Sequence, residues 1–445
     1  MTDIARVERW GVLELDFEVP QAEVDGDLQV TFAIGDSVFV SESFVDEAGA
    51  LRVRFMPGLE GTWTWTAHSD HADLDDRSGE FVCGPAGDGN HGPVQVSDDA
   101  HFRYADGTPH HPLGTTATSW YLAEASVRKA TLRTLAGGPF TKVRMGAVPG
   151  RLGELESAVR DLAELGIEAE VIIFHPYAGG ESPASLGEEA WRRYVKELVS
   201  RLAAFRNVWW CVVSEPGLGS TPAEGWAEAF RLVEEYDYGR HLRTFHGRSD
   251  ADFGSPWITH TSVRSDEVRV ITPLSRHHGK PVMVDGCGAE GDRPDPASSL
   301  TPEELVMKAW EGVCRGGYVS HAESYVTRGL APWSIHGGEL VGESAPRLSY
   351  LREVLATAPA DLRYNPFYYD ASTLEAPGEY YLQYFGPHRF PERRFELPPG
   401  DYHVDVIDTW NMTTHTLEGT FSGEFRVELP RQLYYALRIR RADRA

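Results

Sequence analysis

The stretch Phe205-Arg206-Asn207-Val208-Trp209-Trp210-Cys211-Val212-Val213-Ser214-Glu215 joins an unbroken run of apolar, aromatic and β-branched residues to a single carboxylate. Such a run, with no polar alternation, predicts a strand covered on both faces, as in parallel sheets lying between helices. A carboxylate at the C-terminal end of that strand stands where parallel barrels present their chemistry. Glu215 is therefore the first candidate for a catalytic acid, set against the commoner fate of a glutamate, a solvated loop.

Outward from this run, strands alternate with helical stretches. Strands are expected at 112–116, 141–148, 168–174, 208–214, 242–246, 257–263, 281–285 and 317–321. Eight of them suit a (β/α)8 TIM barrel. The segments 152–165, 188–205, 222–236 and 302–314 carry apolar residues at helical spacing, and the last opens on Thr301-Pro302-Glu303-Glu304, an N-cap followed by proline at the first helical position. Before the barrel, Leu13 to Val19, Leu28 to Phe32, Leu51 to Phe55 and Thr62 to Thr66 are strand-like and punctuated by Gly, Pro and Asp, which predicts an antiparallel β-sandwich with Trp10, Trp63 and Trp65 in its core. After Tyr364 short strands return at 380–385, 402–408 and 424–429. The expectation is an α/β chain of three domains: an N-terminal β-sandwich over 1–92, a catalytic barrel over 93–360 and a small C-terminal antiparallel β-sandwich over 361–445.

Composition narrows the function. The 445 residues are 41% hydrophobic and carry a net charge of −25, which repels phosphate backbones and anionic membranes and so excludes nucleic acid and membrane surfaces as expected partners. Cys83, Cys211, Cys287 and Cys314 are scattered and form no CxxC pair, so buried free thiols are expected instead of a zinc site or a disulfide framework. The start, Met1-Thr2-Asp3-Ile4-Ala5-Arg6, leads into charge, and no run of 18 apolar residues occurs, which reads as a cytoplasmic protein without a membrane anchor.

Residues standing just after the expected strands form the candidate site. Trp120 and Tyr121 follow the first, Arg144 lies in the second, and His175 and Tyr177 follow the third. Trp210 and Glu215 belong to the fourth, His246 to the fifth, His260 to the sixth, Asp285 and Glu290 to the seventh, and His321, Glu323 and Trp333 to the eighth and its sequel. Aromatic rings that can stack on sugar C–H faces, mixed with His, Arg and carboxylates for hydroxyls, point to a carbohydrate substrate. Each residue alone is more often structural; the shared position carries the reading. Hydrolysis of a glycosidic bond needs two carboxyl groups, one protonated and one ionised. Glu215 would be the acid if burial raises its pKa.

Several segments resemble, in order, a family of three-domain glycoside hydrolases with an apiosidase-like barrel: Val7-Glu8-Arg9-Trp10-Gly11, Val53-Arg54-Phe55-Met56-Pro57, Gly89-Asn90-His91-Gly92-Pro93-Val94, Tyr104-Ala105-Asp106-Gly107-Thr108-Pro109, Arg206-Asn207-Val208-Trp209-Trp210 and Trp310-Glu311-Gly312-Val313-Cys314-Arg315-Gly316-Gly317. The resemblance covers all three domains and implies their order. Two departures stand out. Where an Asn-Glu pair is expected after Trp209-Trp210, Ser214 precedes Glu215. On the seventh strand, where the family pattern is Val-Asp-Glu-Cys with the Glu as nucleophile, this chain reads Val284-Asp285-Gly286-Cys287.

Three outcomes follow. Glu290 or Asp285 supplies the second carboxylate, with a separation from Glu215 of about 5 Å for a retaining or roughly 6.5–9.5 Å for an inverting enzyme. Glu323 serves instead, oriented by His321. Or the chain is an inactive relative that binds sugar. A metal-dependent barrel hydrolase using His175, His246, His260 and Asp285 is the alternative from another class, without an HxH or HExxH pair to support it. The expectation is an exo-acting glycosidase on small oligosaccharides or glycosides, its pocket walled by loops 178–187 and 291–299, with no organic cofactor and no metal. Aromatic loops near Trp333 and Tyr364 to Tyr369 suggest a homo-oligomer.

Overall fold

In the computed structural model of the chain, the residues described are 5–18, 28–97, 100–175, 186–214, 223–326, 329 and 331–442. Eight parallel strands form the central sheet: β1 (Gly114–Thr116), β2 (Lys142–Gly146), β3 (Glu168–Phe174), β4 (Val208–Ser214), β5 (Arg243–Arg248), β6 (Thr261–Arg264), β7 (Val282–Gly286) and β8 (Tyr318–Val319), paired in that order. A parallel bridge between Thr115 and His321, with the His321 N–H donating to the Gly114 carbonyl at 2.8 Å, closes the sheet into a barrel.

The helices α1 (Ala125–Gly137), α2 (Leu152–Glu164), α3 (Glu188–Leu202), α4 (Ala223–Tyr236), α5 (Ile271–His278) and α6 (Pro302–Val313) lie in the connections. On α2 the buried positions Leu152, Leu155, Ala158, Val159 and Leu162 recur at three and four residues, one face laid on the barrel wall. The start of α6 is fixed as its sequence implies: Thr301 Oγ1 accepts from the Glu304 N–H at 3.2 Å while the Glu304 carboxylate accepts from the Thr301 N–H at 2.8 Å, a capping box with Pro302 just inside. The β5–β6 connection, residues 249–260, departs from the ideal alternation and carries turns and bends without a helix. Two later helices, α7 (Trp333–His336) and α8 (Ser344–Ala356), complete the wall beside β8 and β1.

The N-terminal sandwich has two layers that share the strand Ser37–Val45, whose first part pairs with Leu28–Ile34 and whose last three residues pair with Leu51–Phe55. Its core stacks Phe32 on Phe55 with ring centres 4.2 Å apart, beside Trp63 and Phe81. Trp63 is fully buried there and Trp65 partly so, whereas Trp10 lies at the junction with the barrel, against Met56 and Ala204. Arg54 ties the two bodies together: its buried guanidinium meets Glu14 at 2.5 Å, Glu156 of α2 at 2.8 Å and the carbonyl of Arg201 in α3 at 2.9 Å.

At the C-terminal side, a six-stranded sheet and a separate two-stranded ribbon (Glu392–Glu396 with Glu424–Glu428) enclose a core of Phe395, Tyr402, Val404, Leu437 and Ile439. A three-stranded hairpin over 94–110 plugs the barrel floor, where Val94 and Phe102 meet Trp209, Leu242, Met283 and Tyr318. All four cysteines are buried and free. Among the described residues no helix is long and apolar enough to cross a membrane.

Candidate active site

Strand parity decides which residues reach the barrel interior, because alternate side chains face opposite sides. On β2 the inward positions are Lys142 and Arg144, and on β3 they are Glu168 and Glu170, register partners of the former. Lys142 Nζ donates to Glu170 and, at 3.0 Å, to Asp285 Oδ1 of β7; Arg144 Nε donates to Glu170 Oε1 at 2.8 Å. Ser262 of β6 donates to Asp285 Oδ2 at 2.7 Å and Ser320, beyond β8, to Oδ1 at 2.6 Å. Two cations thus face two anions, all buried, and the sum is neutral, which is the condition under which a dry interior tolerates charge. Burial alone would raise the Asp285 carboxyl; Lys142 and Arg144 overcome it and hold the group ionised, far below the usual carboxylate range.

This network fixes a histidine. An ionised Asp285 can only accept, so the single Ser262 hydroxyl proton points to it, and Ser262 Oγ must then accept from His246 Nδ1, 3.1 Å away. His246 is thereby held as the Nδ1–H tautomer with a lone pair on Nε2, an atom for which no described residue is a partner. Burial first, and Arg144 second, push its pKa well below the ordinary value, so the ring is neutral at pH 7. Beside it Gly286 is closely packed: a β-carbon built there would sit 3.4 Å from His246 Cε1 and 3.3 Å from Arg264 Cγ, so a larger residue would press on both side chains. Ser214, the last residue of β4, is the register partner of His246. Glu215, next in the chain, lies outside the described residues, as does Tyr177. His175 tops β3, its ring so close to Gly146 that a β-carbon there would meet Cγ at 3.1 Å.

The other sequence candidates stand elsewhere. Trp120 and Tyr121 are not a stacking platform: both are buried in the outer apolar shell, Trp120 Nε1 on Met145 Sδ at 3.0 Å and Tyr121 Oη on the Gly146 carbonyl at 2.6 Å. Trp210 has outward parity and donates to Asp237 at 3.2 Å, while its neighbour Trp209 faces the floor. His260 precedes β6, which begins at Thr261, and so lies at the floor against Phe102 and Trp209, where burial lowers its pKa to about 4. Trp333 is buried and donates to Thr115 Oγ1 at 2.9 Å, which removes it from any exposed aromatic loop.

Glu290, Glu323 and His321 form a second polar cluster, with the wall helices. Glu290 accepts from Tyr325 Oη (2.9 Å), the Glu343 N–H (2.8 Å), and the Ser344 N–H (3.1 Å) and Oγ (2.5 Å), so it caps the start of α8. Glu323 accepts from the N–H groups of Val341 and Gly342, both at 2.9 Å. His321 Nδ1 pairs with Thr115 Oγ1 at 3.1 Å, and burial lowers its pKa to about 3. These three residues bring possible ligand atoms within 4.8 Å of one another, the spacing of a cation site. Four donors already fill the acceptor positions of Glu290, so the set is built as a loop clamp and fits a metal ion poorly. The expectation that Glu290 replaces the missing nucleophile is corrected on the same ground, and Asp285 is corrected to an anchor whose oxygens are taken by Lys142, Ser262 and Ser320.

Lys142, Glu170, Ser262 and Ser320 are the functional neighbours that sequence reasoning passed over. Their signal is visible in hindsight: Lys142-Val143-Arg144 and Glu168-Ala169-Glu170 place complementary charges two apart on adjacent strands otherwise built of apolar residues.

A closed barrel with polar groups converging at its C-terminal end, between two β domains, is the architecture of glycoside hydrolases among the solved structures compared with it. The chain is 30% identical to a "putative glycoside hydrolase" from Bacteroides vulgatus ATCC 8482, covering 98% of this chain and 100% of that one with a TM-score of 0.92. It belongs to that family. A family 5 glycoside hydrolase from the same organism shares the fold at 14% identity and a TM-score of 0.67, over 80% of this chain and 94% of that one. Another structure, described as a glycoside hydrolase, does so at 14% identity and a TM-score of 0.65, over 80% and 98%. Residues 6–70 match DUF5060 and residues 369–440 match DUF5605, both domains of unknown function. No curated protein matches the chain.

Proposed function

We propose that the chain hydrolyses glycosidic bonds at the C-terminal mouth of its barrel, acting on the ends of small oligosaccharides or glycosides. The observation that carries this reading is the chain Lys142, Asp285, Ser262, His246, which ends in an imidazole of fixed tautomer whose Nε2 has no partner among the described residues. Glu215 gives its proton to the leaving oxygen as the bond to the anomeric carbon breaks. A water at His246 Nε2 forms the new bond and passes its proton to that nitrogen. The imidazolium so formed is stabilised through Ser262 by ionised Asp285. Because water and not a carboxylate attacks, the product is inverted at the anomeric carbon.

The test is turnover of a panel of aryl glycosides by the wild-type chain, Glu215→Gln and His246→Ala. A general acid and a general base are each worth about 10²–10⁴ in kcat, so both variants should fall by that order; unchanged rates in both would overturn the reading. The missing carboxylate at Gly286 favours one competitor, a protein that binds sugar without cleaving it. It would show saturable sugar binding with no turnover by the wild-type chain.

A further inference from the structure

The barrel has a hollow at the face opposite its mouth. A cavity of about 420 Å³ lies where the residues preceding β1 and β8 meet the floor hairpin, α8 and the first strands of the C-terminal domain. That volume is within the range of small-molecule sites. Leu113, Leu351, Leu355 and Leu374 give it an apolar wall, while Tyr104, His111 and Arg352 bring polar groups to it. None of its lining residues is acidic, in a chain whose net charge is −25. Arg352 is exposed, donates to the Pro139 carbonyl at 3.3 Å and pairs with no described carboxylate. The two histidines are neutral at pH 7: burial first, then His111, Lys142 and Arg352, lower the His110 pKa to about 3, and burial, His101 and Arg103 lower that of His111 to about 4.

We infer that this cavity is a ligand site separate from the catalytic mouth, and that it takes a small amphipathic carboxylic acid. The apolar body packs on the leucines, and the carboxylate pairs with Arg352, whose planar fork suits two oxygens. An anion here would answer the Arg352 guanidinium, which pairs with no described carboxylate.

Calorimetric titration of the full chain with 4-phenylbutyrate and with its neutral counterpart 4-phenylbutanol tests the assignment. The acid should bind saturably below about 1 mM and about tenfold more tightly than the alcohol. Arg352→Gln should weaken the acid about tenfold and leave the alcohol unchanged. Ala356→Trp, which places a ring in the cavity from an exposed position on α8, should abolish both while melting as the wild type does. Glu215→Gln should bind the acid as the wild type does, whatever becomes of hydrolysis. Absence of saturable binding, equal affinity for acid and alcohol, or binding indifferent to both cavity variants would overturn the inference.

Discussion

Two sets of acids and histidines stand on and around the barrel strands, one inside the wall and one beyond the ends of β7 and β8. The inner set, Glu170, Asp285 and His246, is matched by Lys142 and Arg144 and ends in an imidazole with one nitrogen to spare. The outer set, Glu290, Glu323 and His321, takes hydrogen bonds from backbone N–H groups at and just before the start of α8 and from hydroxyls. The same residue types therefore do opposite work. Cation pairing keeps Asp285 ionised and lets it polarise a neighbour, while Glu290 caps a helix with four donors on its two oxygens.

The comparison can be broken most forcefully at Asp285. Asp285→Ala leaves Lys142 with one buried partner fewer and frees Ser262, and should cost about 3–5 kcal/mol of stability, the scale for breaking a buried pair, along with most activity. Chemical denaturation and a rate assay on the folded fraction would measure both. His246→Ala should lose about 10²–10⁴ in kcat per folded molecule, and the melting temperature should fall with the loss of a buried ring and its hydrogen bond to Ser262. Glu290→Gln in the outer set should lower stability by about 1–3 kcal/mol through the cap of α8 and leave the rate per folded molecule unchanged; a rate loss as large as that of His246→Ala would return Glu290 to the catalytic group.

A smaller effect comes from the floor. Burial raises Glu168 to about 7 against the hydrogen bonds of Trp209 (3.0 Å) and Tyr104 (3.3 Å). The unfolded chain releases this proton near 4.5, so the folded state binds more protons between that value and about 7, and stability falls as pH rises through the interval. Asp285 has the opposite sign: its folded pKa is depressed, so its contribution is present above 3.8 and is lost as pH falls below it. Glu168→Gln should flatten the fall between pH 5 and pH 8, which is on the order of 2 kcal/mol, in melting curves taken across that range.

The same wall explains what the sequence made legible. Strands β3 and β4 were readable to the residue, 168–174 and 208–214, because both of their faces are covered and each is bounded by loop or helix residues. Strand β6 was read four residues early, since Trp257 and Ile258 look like strand residues yet pack in a turn-rich connection, and that shift carried His260 from the floor to the mouth. For the site, nearness to a strand end was legible and side of the wall was not. Trp210, His321 and Trp333 have the composition of a sugar site, but their direction depends on strand register and on helices packed from distant parts of the chain. Charges two apart on a buried strand, as at Lys142 and Arg144, were the readable sign of an inward face.

The decisive measurement is proton NMR of the first sugar released from an aryl glycoside, recorded before the anomers equilibrate. Water guided by His246 predicts the inverted anomer from the wild-type chain and its loss in Glu215→Gln. The retained anomer, which demands a nucleophilic carboxylate, or an absence of turnover by the wild-type chain would contradict it.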